Sequence, residues 1–140
     1  MKLDLPLAQA IVARVIAKAT DEFKRPICVS VCDTAGLLMA FNRVEGGHAR
    51  SVDISQAKAY TAARMGVDTD AFLERLQREN LSISYFCDAK MTALPGGIVL
   101  KDAAGEVMGG LGIAGLKSEE DPALARAVIA LFNAFGAAGE

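Results

Sequence analysis

The sequence predicts an α/β protein of the α+β type, an antiparallel sheet covered by helices. Three observations carry that reading. Two β-rich runs are each folded back by a turn sequence, Asp33-Thr34-Ala35-Gly36 and Asp102-Ala103-Ala104-Gly105, which makes two hairpins. Apolar residues at helical spacing precede, separate and follow these hairpins. Hydrophobic residues make up 52% of the 140 positions and charged residues 23%, which is enough apolar matter to close a core and excludes a disordered or collagen-like chain. The length is that of one domain, expected over residues 1–140.

Asp4 is a natural N-cap, and Pro6 is tolerated in the first turn of the helix that follows. Leu7, Ile11, Val12, Val15, Ile16, Ala19 and Phe23 form one apolar stripe, and Arg25-Pro26 ends the helix near Lys24 because a residue before proline is pushed out of the α region. Ile27 to Asp33 and Leu37 to Arg43 read as the strands of the first hairpin. Strict alternation along the second puts Leu37, Met39, Phe41 and Arg43 on one face.

After a loop containing Gly46-Gly47-His48, a helix over residues 52–65 is expected, with Ser51 as N-cap and Gly66 past its end. Its alanines 57, 59, 62 and 63 let it lie close to a sheet or to another helix. A third helix over 69–79 is amphipathic through Phe72, Leu73 and Leu76. Ile83 to Phe86 reads as a short strand. Leu94-Pro95-Gly96-Gly97 is a turn, residues 98–101 and 106–114 form the second hairpin, and Asp121-Pro122 opens a last helix whose apolar face includes Leu124, Val128, Leu131, Phe132 and Phe135. The strand count is therefore up to five.

Charge and composition narrow the partners. Lys plus Arg is 15 and Asp plus Glu is 17, a net charge of -2, so no general attraction to nucleic acid or to an anionic membrane is expected. Asp4, Gln9, Arg14 and Lys18 interrupt any apolar leader core, and no run approaches the roughly 20 apolar residues of a membrane span, so a cytoplasmic protein is expected. Cys28 and Cys32 fall on one face of a strand, about 13 Å apart, too far for a disulfide or a shared metal, and read as small buried hydrophobes. Cys87 lies in less regular sequence.

Residues that can carry chemistry are few. Gly110-Leu111-Gly112-Ile113-Ala114-Gly115 matches the dinucleotide-binding pattern, but a Rossmann unit needs a second parallel strand ending in an acid about 20 residues on, and the last helix fills that space. These glycines instead suit close backbone approach inside a strand. His48 is the single histidine; it can serve as a general base, as an axial ligand to haem iron or as one ligand of a labile metal. Lys58 sits among alanines, on one face with Ile54 and Thr61, where it can grip an anion or pair with a carboxylate. Arg43 ends the apolar face of its strand in a cation. In the Pro95-Gly96-Gly97 turn, the backbone N–H groups of Gly96 and Gly97 can form an anion nest.

The ordered set of segments resembles the GlcG/HbpS-like family, which includes the C-terminal domain of PduO-type proteins. The matching stretches are residues 31–38, Phe41-Asn42-Arg43, Ser51, residues 57–62, Leu94-Pro95-Gly96-Gly97, residues 105–115 and Glu120-Asp121. Val44-Glu45-Gly46-Gly47-His48 departs from the family's usual aspartate-glycine-alanine run. The resemblance implies a profilin-like, five-stranded antiparallel sheet flanked by helices on both faces, assembly into homo-oligomers from dimer to octamer, and haem as a cofactor candidate.

The function expected is an oligomeric cytoplasmic protein binding haem or a small carboxylate. A pocket is expected where Arg43, His48, Ser51, Lys58, Pro95, Gly96 and Gly97 converge, with Met39 and Phe41 facing the apolar part of the ligand. The alternative is an enzyme acting on a small carboxylate by proton transfer or isomerisation, with His48 and Lys58 catalytic and Arg43 and Lys58 gripping the acid. Arg43→Ala and Lys58→Ala are each expected to weaken anion binding while leaving the melting temperature nearly unchanged.

Overall fold

The computed structural model describes residues 2–139, with side chains as far as residue 133. Helix α1 (Leu5–Lys18) begins where Asp4 Oδ1 accepts the Leu7 amide at 3.0 Å and continues through a π turn (Ala19–Phe23) to Lys24, which turns left-handed at φ 53° ahead of Pro26. Strands β1 (Cys28–Asp33) and β2 (Leu38–Arg43) form the first hairpin, and β3 (Gly97–Lys101) and β4 (Val107–Ala114) the second. Between the hairpins lie α2 (Ala49–Met65) and α3 (Thr69–Arg78), and α4 (Glu120–Gly139) closes the order. Phe135, expected on the apolar face of α4, lies outside the described side chains.

The sheet has four strands in the order β2-β1-β4-β3, every neighbouring pair antiparallel. The expected fifth strand is not there: Ile83–Phe86 is a 3-10 turn. The Ser82 hydroxyl accepts the Ser84 amide at 3.3 Å, and Phe86 packs edge-on against Phe72 of α3 with ring centroids 5.1 Å apart. A serine bonding its own backbone two residues on, with one aromatic contact to hold the turn, outweighs the β preference of a four-residue run.

One face of the sheet carries Val29, Val31, Ile98, Leu100, Leu111 and Ile113, buried against Ile11, Val12 and Val15 of α1 and Leu124 and Val128 of α4. Burying each such side chain is worth about 1.5–3 kcal/mol, so this layer is the main apolar core. The opposite face is built of small residues. Cys28, Ser30 and Cys32 alternate with the core valines on β1, and Gly110 and Gly112 stand opposite Cys32 and Ser30 on β4. Helix α2 lies on this face, with Ser55 Oγ 2.9 Å from Ser30 Oγ and with Ala59 and Ala63 packed on Cys32.

The approach of α2 is so close that a Cβ on Gly110 would collide with the Ala59 carbonyl oxygen, and one on Gly112 with the Ser55 carbonyl oxygen. The glycine pattern that resembles a nucleotide loop is a groove for a helix backbone.

The expected alternation along β2 does not hold. A β-bulge between Val31 and Cys32 of β1 leaves Met39 as an extra residue, so Met39 and Ala40 both pack on the α1 core while Phe41 and Arg43 stay opposite Ser30 and Cys28. Met39 and Phe41 therefore do not share a face. Among the described residues no helix is long and apolar enough to cross a membrane.

Gly110→Ala should lower stability by about 2–3 kcal/mol in urea unfolding, because the added methyl meets backbone that cannot move alone. Gly105→Ala is the control. Gly105 has φ +83° and nothing near its Cβ position, so only the left-handed conformation is penalised, by about 1 kcal/mol. Equal losses in the two variants would contradict the close helix–sheet contact.

Candidate functional site

Helix α2 begins three residues earlier than the sequence suggests. Gly47 N–H closes a turn onto the Val44 carbonyl at 2.8 Å, His48 is extended at φ −66°, ψ 143° and takes the N-cap position, and Ala49 is the first helical residue. Ser51 is therefore not the cap; it lies inside the first turn, its amide donating to the His48 carbonyl at 3.0 Å. The result is a cleft of about 200 Å³ lined by His48, Arg50 and Ser51 from the start of α2, Pro95 from the turn before β3, and Ser118 and Asp121 ahead of and within the first turn of α4.

Lys58 is the floor. It is 3% exposed, and so is Asp121, 63 residues away in sequence. The ammonium donates to the Ile113 carbonyl at 2.7 Å and to Asp121 Oδ2 at 3.0 Å, while Asp121 Oδ1 accepts the Leu116 amide at 3.1 Å. An ammonium has three donors, and among the described residues the third is uncommitted. Burial pulls the Lys58 amine down and pushes the Asp121 carboxyl up, and each partner's charge opposes the shift in the other. Two charges out of water persist only with such geometry and such additional hydrogen bonds.

The Pro-Gly-Gly turn serves this pair. Gly96 has φ +126°, and a Cβ there would stand 2.7 Å from the Ile113 carbonyl oxygen and 2.8 Å from Lys58 Nζ. Its carbonyl accepts the Ile113 amide at 3.0 Å, and the Gly97 amide donates to Thr69 Oγ1 at 2.9 Å. Pro95 borders the cleft; Gly96 and Gly97 lie behind it, with the Gly97 donor already engaged.

The structure thus brings together His48, Ser51, Lys58 and Pro95 of the expected set. Arg43 is exposed and lies off the cleft, with its guanidinium 3.4 Å from the Gly47 carbonyl. Arg50 and Asp121 are the residues that sequence reasoning missed. Asp121 reads in sequence as a helix cap and as part of the family-like Glu120-Asp121 stretch, with no site role attached, and no local pattern pairs position 58 with position 121. Lys58 pairs with a carboxylate, one of the two roles its place among small residues left open, but the pair is buried, so its loss would strand Asp121 and could not leave stability unchanged as expected.

Among the described residues no three His, Cys, Asp or Glu side chains gather as a metal site. The Cys28 thiol is pushed up by burial against the pull of Arg43, and Cys32 to about 11 by burial, as suits packed hydrophobes. A second, larger groove of about 600 Å³ runs along the outer flank of α2 beside β2.

A family model described as haem degrading protein HbpS-like matches residues 3–130. The chain belongs to the HbpS-like family. No curated protein matches it. Among solved structures, ORFY of Klebsiella pneumoniae is 25% identical with a TM-score of 0.84, covering 96% of this chain and 93% of that one. A double mutant of HbpS from Streptomyces reticuli is 25% identical with a TM-score of 0.82 over 94% of this chain and 87% of that one. A PduOC:heme complex is 24% identical with a TM-score of 0.80 over 93% and 94%, a likeness of fold. Among its described residues this HbpS-like chain presents that fold as four α-helices and a four-stranded antiparallel sheet.

Lys58→Met should destabilise the protein by about 3–5 kcal/mol at pH 7, because Asp121 is left buried without its counter-charge. Without Lys58 the Asp121 pKa rises further. A carboxyl whose pKa is raised on folding stabilises the fold below its ordinary range and loses that contribution as pH rises through the raised value. The deficit should therefore shrink from pH 7 toward pH 4, as measured by urea unfolding of variant and wild type at both. A deficit that is small at pH 7, or that grows on acidification, would contradict the buried pair.

Proposed function

We propose that this HbpS-like protein binds a small anionic molecule, either haem held by its carboxylate arms or a free small carboxylate, at the cleft between the start of α2 and the start of α4. The observation that carries the reading is the Lys58 ammonium, buried at the floor of a cleft of mixed polar and apolar lining, with one donor uncommitted among the described residues. The Lys58–Asp121 pair is neutral as a unit. The charge that attracts an anion comes from Arg50 at the mouth and from the N-terminus of α2, whose 17 aligned residues place a partial positive charge there.

Haem is named by the family description and by the PduOC relative. A cleft of about 200 Å³ suits a carboxylate and not a tetrapyrrole, which needs the roughly 300–1,000 Å³ of a cofactor pocket. His48 is at the mouth, placed to meet whatever part of a ligand stays outside. The residues of one chain therefore fit a haem propionate and do not enclose the macrocycle. When bound, haem would supply its own iron chemistry; the protein's part is to hold the carboxylate.

We read the protein as a cytoplasmic homo-oligomer. Three free thiols support a reducing compartment, and Leu37 and Leu38, 67% and 50% exposed, support self-association. A second reading, proton transfer or isomerisation on a small carboxylate with His48 as base, is favoured by His48 and Lys58 bordering one cleft. Its expected grip, Arg43, lies off that cleft.

Titration of the purified protein with haem, followed at the Soret band, and calorimetry with short mono-carboxylates test both readings. Arg50→Ala should weaken binding about ten- to a hundredfold, the worth of one charge-assisted contact, while Arg43→Ala leaves it unchanged. Wild-type affinity in both Arg50→Ala and His48→Ala would overturn the assignment of the cleft. Turnover of a hydroxy- or keto-acid, lost in His48→Ala, would favour the enzymatic reading.

A further inference from the structure

The outer flank of α2 has a pattern the anion site does not use. Asp53, Gln56, Ala57, Tyr60 and Arg64 line the larger groove together, so they occupy one stripe of the helix. Asp53 and Arg64 mark its two ends, about three turns or roughly 16 Å apart. Small and aromatic side chains fill the middle. A stripe with an acid at one end and a base at the other is complementary to itself when reversed. Turning a second copy about a two-fold axis midway along the stripe sets Asp53 of each copy against Arg64 of the other, and Ala57 against Tyr60.

Arg64 can serve both copies. Its Nε lies 3.6 Å from Asp88 and its Nη1 donates to the Ala35 carbonyl at 3.3 Å, which fixes the guanidinium at the rim and leaves further donors. It also lies over the Tyr60 ring at 5.1 Å, with Lys90 over the same ring at 5.8 Å, so the basic end is built and not a loose side chain.

The neighbouring surface points the same way. β2 is an edge strand, and its residues Leu38 to Phe41 carry none of the charges or prolines that usually guard an edge. Leu37 and Leu38 stand beside the groove, exposed, and extend the apolar area past what a small ligand would cover.

We propose that the α2 flank and the β2 edge form an isologous interface with a second copy of this chain, ordered by Asp53–Arg64 pairs across the two-fold axis. The proposal rests on the homo-oligomer reading above and adds the surface and its charge code.

Sedimentation velocity at micromolar concentration tests it, with circular dichroism melts to confirm that each variant folds. The wild type should sediment as at least twice the 14.7 kDa chain mass. Ala57→Glu should lower the mass by removing this contact, and Asp53→Lys should do the same by setting like charges at both ends. Asp53→Lys mixed with Arg64→Asp should recover the assembly, because each mixed pair restores both attractions and each self-pair keeps two repulsions. A monomeric wild type would overturn the homo-oligomer reading and this interface with it. An oligomer of unchanged mass in both Ala57→Glu and Asp53→Lys would overturn the interface alone. So would a failure of the mixture to recover when Arg64→Asp is folded.

Discussion

The contact between α2 and β4 is the constraint on which the rest of the molecule depends. Gly110 and Gly112 let the helix backbone settle onto the sheet at Ala59 and Ser55, and Gly97 receives the backbone at Lys58. With ordinary side chains at those positions the helix would ride higher, and Lys58 could not lie level with the end of β4. Because it does, the ammonium reaches the Ile113 carbonyl and, from there, Asp121 at the start of α4. Asp121 then holds the Leu116 amide, which fixes the turn between β4 and α4. One steric concession in the strand thus positions a buried charge, a helix start and both walls of the cleft.

The energetic balance of the two sheet faces follows from the same contact. The α1 and α4 face is stabilised by large aliphatic side chains. The α2 face offers little apolar area per residue and relies on close backbone packing, the Ser30–Ser55 bond and the Lys58–Asp121 pair. A buried ion pair contributes little net stability against a hydrophobic substitute, yet losing one partner is costly. The pair is therefore better understood as fixing the register of α2 on the sheet and of α4 against both than as a source of stability. It also explains why the cleft floor is polar in a protein whose other core is not.

Much of this is legible in the sequence, and the exceptions have physical causes. Both hairpins, the Asp4 cap and the core stripes of α1 and α4 follow from periodicity and turn chemistry, which are local. The strand expected at Ile83–Phe86 fails because Ser82 bonds its own backbone, a local preference stronger than the β signal of four residues. The face of Met39 fails because a bulge is written in the pairing of two strands and not in either one. The start of α2 shifts because the turn at Val44–Gly47 delivers an extended His48, so Ser51 loses the cap that its residue type favours. Lys58 stands out in the sequence as a cation among small residues, which is correct as far as it goes. Its partner is invisible there, since only the folded sheet brings positions 58 and 121 together.

Cleft and ligand size set a further condition on recognition. On the proposed reading, a space of about 200 Å³ would take a carboxylate and leave outside it the body of any large molecule attached. What lies outside would rest against the first turn of α2, the loop before it, the turn at Ser118 and the exposed Leu94 beside Pro95. Under the proposed reading, discrimination would be by charge and by the geometry of the carboxylate end. The affinity the cleft can reach alone is bounded by a few charge-assisted contacts, each worth about 1.5–3 kcal/mol. A large cofactor held tightly would need surface from beyond this cleft.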